Sequence, residues 1–307
     1  MKNVITEYYK TNKGKAYNCS VEDFIDTEEF KKLSGTVNLI FFSPPFFLNR
    51  KKSYGNLSGS KYIDWFKGLA TSFSELLTED GSIVIEMGNG WMLGQPTMST
   101  EPLEALLEFK KEGKFHLCQQ FIWSNPAKLP SPAQWVNIER IRVKDSFTHI
   151  WWLSKVDKPK ANNKNVLVEY SDTMKRLLKR KRYNGGGRPS EHVIGAKSFF
   201  SDNDGAIPPS VLTFANTRSN TDYLNYCNEH NLKPHPARMP YELPEFFIRF
   251  LTDENDLVFD PFGGSNTTGM VAEMLSRRWV IIEKSSQYLN GSMGRFNSEI
   301  LQNEGQI

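Results

Sequence analysis

Leu257-Val258-Phe259-Asp260 runs directly into Pro261-Phe262-Gly263-Gly264-Ser265-Asn266-Thr267-Thr268-Gly269, and this passage decides the fold. Its apolar start makes a short buried strand, which Pro261 and the paired glycines end in a turn. Met270 to Leu275 continues as helix, and Trp279-Val280-Ile281-Ile282 forms a second strand closed by Glu283. Strand, glycine turn, helix, strand and terminal acid in that order describe a βαβ nucleoside-binding unit. The glycines let the backbone come close to a ligand, while Ser265, Asn266 and Thr267 supply donors at a helix N-terminus. Glu283 ends the second strand where a carboxylate accepts both ribose hydroxyls. No Gly-Lys-Ser/Thr follows the glycines, which excludes a Walker-type phosphate loop. The unit by itself fits a dinucleotide and S-adenosylmethionine equally well.

A second passage points to chemistry. The apolar run Val37 to Phe42 reads as a buried strand, followed at once by Ser43-Pro44-Pro45-Phe46. Two prolines offer no N–H and fix φ, so the chain leaves the sheet as a stiff turn. In open α/β sheets ligands bind beyond that carboxyl end of the strands. The Ser43 hydroxyl and Pro44 carbonyl can accept hydrogen bonds from a ring amine, with Phe46 stacking on the ring. Such turns also occur in ordinary loops; the glycine-rich unit far down the chain is what gives this one weight.

Between these passages strands alternate with helices, which predicts a doubly wound, mostly parallel α/β sheet. Lys10 to Lys15 reads as a polar lead-in, Ala16–Cys19 as a short strand, and Val21–Leu33 and Tyr62–Leu77 as helices. Asp80-Gly81 reads as a turn into the strand Ser82–Met87, which carries Glu86 at its far end. Glu101–Lys111 reads as helix, Leu117–Trp123 and Ile141–Ser154 as strands, and Glu242–Thr252 as a helix with Leu243, Phe246, Phe247, Phe250 and Leu251 on one side. Composition changes near Val156. Lys175, Arg176, Lys179, Arg180, Arg182 and Arg188 then crowd around Gly185-Gly186-Gly187 with few acids nearby. Arg50, Lys51 and Lys52 form a second basic loop. A net charge of only +3 exerts no global pull on nucleic acid, so the basic segment must act locally. It reads either as a solvated helix face or as a surface that neutralises phosphates.

The 3 cysteines are dispersed with no Cys-x-x-Cys spacing, and the 5 histidines form no paired motif with them. A disulfide framework and a metal site are not expected. No apolar run reaches membrane length and no signal core opens the chain, so a soluble cytoplasmic protein without membrane association is the expectation.

Ser43-Pro44-Pro45-Phe46 together with Asp260–Gly269 resembles the amino-group DNA methyltransferases, most closely the cytosine-N4 branch in which the catalytic motif precedes the cofactor motif (the β class). The resemblance extends over Arg50-Lys51-Lys52 with Tyr54-Gly55-Asn56-Leu57, Lys128-Leu129-Pro130-Ser131-Pro132, Arg142-Val143-Lys144-Asp145 and His235 to Thr252, and so covers most of the chain. It implies the S-adenosylmethionine-dependent methyltransferase fold with an inserted, less regular DNA-recognition region. Residues 1–155 would be the catalytic half, 156–232 the target-recognition region and 233–307 the cofactor-binding half. It also implies methyl transfer from S-adenosylmethionine, leaving S-adenosylhomocysteine, to N4 of a flipped cytosine in double-stranded DNA, beside a partner restriction endonuclease. Asp260, Phe262, Gly263, Gly264, Ser265, Asn266, Thr267, Glu283, His235 and Pro236 would hold the cofactor. Ser43, Pro44, Pro45, Phe46 and Glu86 would serve catalysis. Arg50, Lys51, Lys52, Lys128 and the cations after Val156 would meet DNA, with a CAGCTG-like hexamer as first target. Cys19 departs from the family, since relatives often carry there an Asp that contacts the adenine. Glu86 departs too, standing where a similar member has Asp. Ser rather than Asp at position 43 favours cytosine, because a hydroxyl both accepts and donates. Adenine-N6 transfer, an inactive DNA-binding relative and a dinucleotide oxidoreductase are the alternatives; the last leaves Ser-Pro-Pro-Phe unexplained.

Overall fold

Among the described residues nine strands build one sheet: β1 (Glu7–Lys10), β2 (Gly14–Asn18), β3 (Val37–Phe42), β4 (Leu77–Met87), β5 (His116–Ser124), β6 (Phe147–Ser154), β7 (Val211–Thr213), β8 (Leu257–Asp260) and β9 (Arg278–Glu283). The computed structural model describes residues 5, 7–45, 57–182, 186, 187, 189, 193–195, 199–216 and 221–302. The strand order is β1-β2-β9-β8-β3-β4-β6-β5-β7. β2, β9, β8, β3 and β4 are parallel, whereas β6 runs antiparallel to both its neighbours.

The central strands read as unbroken apolar runs because both faces are covered. Alternate residues serve opposite cores. Phe42 and Phe259 join Phe66, Phe73 and Phe109 on one face, beneath the helices Ser60–Gly68, Ala70–Leu76 and Glu101–Glu112. Phe41 and Val258 join Phe247, Ile248 and Trp279 on the other, beneath Glu242–Leu251 and Thr267–Met274. Helices on both faces make the doubly wound arrangement expected. Among the described residues no helix is long and apolar enough to cross a membrane.

Several local expectations differ. Lys10 to Lys15 is a hairpin joining β1 to β2, closed by the Thr11 N–H on the Gly14 carbonyl at 2.9 Å. The helix over 21–33 is two helices, because the Thr27 hydroxyl accepts from Phe30 N–H and caps a new start. The helix over 62–77 likewise divides at Leu69. Asp80-Gly81 is no turn: β4 passes through it, and Gly81 lets the Val37 carbonyl approach within 3.0 Å of where a Cβ would stand. The strand expected from Ile141 starts at Phe147, and Ile141 and Val143 are exposed.

The chain divides into Met1–Ala161 with Ser210–Ile307, and a smaller unit, Asn162–Pro209. That smaller unit is narrower than the 156–232 drawn from composition. Helix Thr221–Glu229 belongs to the larger unit and buries Tyr223 and Cys227, spaced i,i+4 in a polar stretch. The smaller unit holds helix Asp172–Arg180, capped by the Ser171 hydroxyl accepting from Met174 N–H and burying none of its residues. Within that unit the Tyr170 hydroxyl accepts from Asn203 N–H at 2.8 Å.

Phe42 ties the end of β3 to Phe73, Phe262 and Phe66, with ring centroids 5.5, 5.7 and 6.3 Å away. Phe42→Ala is expected to cost about 3–5 kcal/mol, read as a lowered urea midpoint at unchanged slope.

Candidate active site

Five parallel strands put their carboxyl ends on one edge. Register aligns them: Asn18 faces Glu283, Asp260 faces Ile281, and Phe42 faces Ile85. β6 enters the same edge at Phe147 and β5 leaves it at Ser124, because these two residues are paired. A cavity of about 750 Å³ lies there. Of the residues singled out by sequence, Ser43, Pro44, Pro45, Glu86, His235, Pro236, Asp260, Phe262, Gly263, Gly264, Ser265, Thr267 and Glu283 all line it. The two remote passages therefore meet at one cavity.

The glycine turn is held by one buried and one half-buried carboxylate. Asp260 accepts the Phe262 N–H at 2.9 Å and the Thr268 hydroxyl at 2.6 Å, tying strand, turn and helix together. Burial is the main force pushing this acid up to about 7; the two hydrogen bonds pull against it, and the negative charge of Glu283 adds to the rise. Glu283 accepts the N–H groups of Gly264 and Ser285, one per oxygen, each at 2.8 Å. Burial raises its pKa as well, against those bonds. Each oxygen keeps a lone pair beyond the one it has placed. Gly264 has φ +53°, and a Cβ there would stand 3.3 Å from the His235 ring. Both features favour glycine. His235 donates its backbone N–H to the Tyr223 hydroxyl at 2.9 Å and packs edge-on to Tyr288 at 4.5 Å.

Asn266 corrects the expectation made of it. Its Oδ1 accepts the Gly269 N–H at 2.9 Å and its Nδ2 donates to the Tyr9 hydroxyl at 2.8 Å, so it caps a helix and is not on the cavity wall. An Asn ahead of a helix looks like a ligand donor in sequence and is consumed as a cap in space.

On the opposite wall Glu86 is buried within hydrogen-bonding reach of Ser43. Burial raises its pKa above the ordinary carboxylate range, partly offset by the Ser43 bond and the positive charge of Lys128. The longer side chain thus meets the serine turn directly. Lys128 also lines the cavity, 3.6 Å from the Asp145 carboxylate. Cys19 lines it as a neutral thiol, pushed up to about 12 by burial and then by the negative charge of Asp23. It cannot act as the anionic acceptor that an Asp would be.

Lys175, Arg176, Lys179, Arg180 and Arg182 are exposed in the smaller unit. Phe46, Arg50, Lys51, Lys52 and Arg188 lie outside the described residues. Sequence reasoning missed Glu22, Trp65, Asn125, Arg238 and Tyr288 on the cavity wall. Asn125-Pro126 after β5 carried a signal, a polar residue and a proline at a strand's end, as at Ser43-Pro44. Trp65 carried none, being one aromatic among many on its helix; its indole N–H donates to Glu22 at 2.5 Å.

Known proteins share this arrangement. Residues 37–293 match the N6/N4 methyltransferase family, described as DNA methylase. The Type II methyltransferase M.PvuII of Proteus hauseri is 46% identical over 291 residues, which is 94% of this chain and 85% of the relative. Among solved structures, the PvuII DNA methyltransferase (cytosine-N4-specific) matches with a TM-score of 0.76 at 38% identity, over 95% of this chain and 89% of that one. The M1.HpyAVI–SAM complex matches in fold alone, with a TM-score of 0.52 at 19% identity, over 92% of this chain and 100% of that one. The chain belongs to the N6/N4 DNA methylase family and is a DNA methyltransferase.

Asp260 makes stability depend on pH. Its ordinary value of 3.8 rises to about 7 on folding. The folded chain therefore keeps a proton that the unfolded chain has released between about pH 4 and pH 7. That contribution is whole below the lower value and is lost on passing the upper one, by up to about 1.4 kcal/mol per pH unit. Asp260→Asn keeps the neutral shape. Denaturant titrations are expected to show the variant gaining on the parent across this window, and parallel curves would disprove the assignment.

Proposed function

We propose that this chain transfers a methyl group from S-adenosylmethionine to the exocyclic N4 of a cytosine turned out of duplex DNA, at a specific site. The observation that carries the reading is one cavity walled on one side by the Ser43–Glu86 pair and on the other by the Glu283–Gly264 turn. The turn suits the cofactor. With no side chain at Gly264 the backbone stays open between Glu283 and His235, leaving room for a sugar and its substituent. Glu283 would accept the ribose hydroxyls with its remaining lone pairs, and Phe262, Gly263, Ser265 and His235 would flank the methionine part. When bound, S-adenosylmethionine supplies a methyl group on a positively charged sulfur.

The remaining work falls to the opposite wall. A ring amine is a weak nucleophile because its lone pair is delocalised into the ring. Ser43 Oγ and the Pro44 carbonyl would accept its two N–H bonds and let the nitrogen pyramidalise. Ser43 donating to Glu86 leaves its oxygen a better acceptor. Glu86, whose proton affinity burial raises, would receive through Ser43 the proton that the methylated nitrogen sheds. Positioning accounts for much of the rate, and Phe46 would offset part of the unstacking cost by stacking on the base. The exposed cations of the smaller unit would neutralise phosphates and serve target recognition. The Type II name of M.PvuII supports a modification role paired with a restriction endonuclease.

Labelled methyl transfer to mixed DNA and to CAGCTG duplexes, followed by nucleoside analysis, tests this. N4-methylcytosine is expected, and N6-methyladenine alone would overturn the base assignment. Ser43→Ala is expected to lower turnover about a hundredfold with little change in cofactor affinity. Glu283→Ala should do the opposite, weakening cofactor binding about tenfold or more. An exchange of these two patterns would reject both roles.

A further inference from the structure

The cavity has a polarity along its length. Glu283 holds Gly264 at 2.8 Å, Gly264 lies under the His235 ring, and the His235 carbonyl accepts from Arg238 Nη1. These contacts link an acid, through the glycine turn and His235, to a guanidinium that also lines the cavity.

Arg238 lines the cavity and is under-used. A guanidinium has five N–H donors. Among the described residues its one hydrogen bond is to the His235 carbonyl, Nε is buried without a partner, and no carboxylate pairs with it. A half-buried cation with idle, forked donors calls for a planar anion. Its neighbourhood reinforces this. Arg295, half-buried, holds the Ser265 carbonyl and hydroxyl at 2.5 and 2.9 Å and lies 4.7 Å over the Tyr223 ring. Burial lowers its pKa to about 10, and the charge of Arg238 acts in the same direction. Arg238 on the cavity wall is thus near enough to Arg295, behind Ser265, for the two charges to oppose each other.

We propose that Arg238 recognises the carboxylate at the methionine end of the cofactor, setting which way that molecule lies in the cavity. This rests on the cofactor reading above: with the ribose at Glu283, the amino-acid carboxylate is the anion that reaches the far end. Arg295 acts as a positioning residue, holding Ser265 in the wall.

The test compares S-adenosylmethionine with its decarboxylated form by calorimetry, on the full chain and on Arg238→Gln and Arg238→Lys. The parent should bind the carboxylate-bearing form tighter by about tenfold or more. In Arg238→Gln the ratio should fall to within about threefold while affinity for the decarboxylated form is unchanged. Arg238→Lys, keeping charge but losing the fork, should fall between. Equal weakening of both ligands would overturn the proposal, since Arg238 would then only shape the loop at His235. An unchanged ratio, or loss of DNA affinity alone, would overturn it too, the latter making Arg238 a phosphate contact. A parent that binds neither ligand would strike down the cofactor reading itself, and the proposal with it.

Discussion

Parallel pairing of β2, β9, β8, β3 and β4 is the constraint on which everything else depends. Because these strands share one direction, every turn at a carboxyl end must leave the sheet on the same side. Cys19, Glu283, Pro261, Ser43 and Glu86 are distant in sequence and meet for that reason alone. The antiparallel β6 adds to the same edge in reverse, bringing its first residues, Phe147 and Thr148, to the cavity wall.

The two walls carry out different work with the same material, carboxylates wholly or partly withdrawn from water. Asp260 and Glu283 place part of their hydrogen-bonding capacity on backbone and hydroxyl groups of the glycine turn and of Ser285. They are a scaffold that leaves room for a ligand. Glu86 has Ser43 within reach and few other charges acting on it. Burial raises the proton affinity of all three, and at Glu86 the neighbouring hydroxyl is that of Ser43, on the wall away from the glycine turn.

Much of this was legible in the sequence where punctuation is strong. Pro261 with the paired glycines, and Pro44-Pro45 after Phe42, mark strand ends because those residues restrict or free the backbone in ways no neighbour can override. Glu283 was legible because an acid closing an apolar strand has few structural reasons to be there. What escaped depends on long-range pairing. β1 is short, with charged ends, and forms through its pairing with β2 and, at Lys10, with Gln302. Asp80-Gly81 looks like a turn, and it stays inside β4 at an irregularity in the pairing with β3, where Lys160 N–H and the Ser154 hydroxyl donate to its two carbonyls. Asn266 shows the converse failure, a polar side chain whose capping duty is visible only once the helix is placed. Arg238 lay inside the quoted stretch His235–Thr252, yet its idle donors are a property of three dimensions.

The pairing of Gly14–Asn18 with Arg278–Glu283 has a further consequence, for synthesis. β2 is among the first strands made, and its parallel partner is the last. On the ribosome the near wall of the cavity must wait, unpaired on that side, until almost the whole chain has emerged. A nascent chain cut short before β9 carries Ser43 and Glu86 intact and still has no closed cavity to put them in.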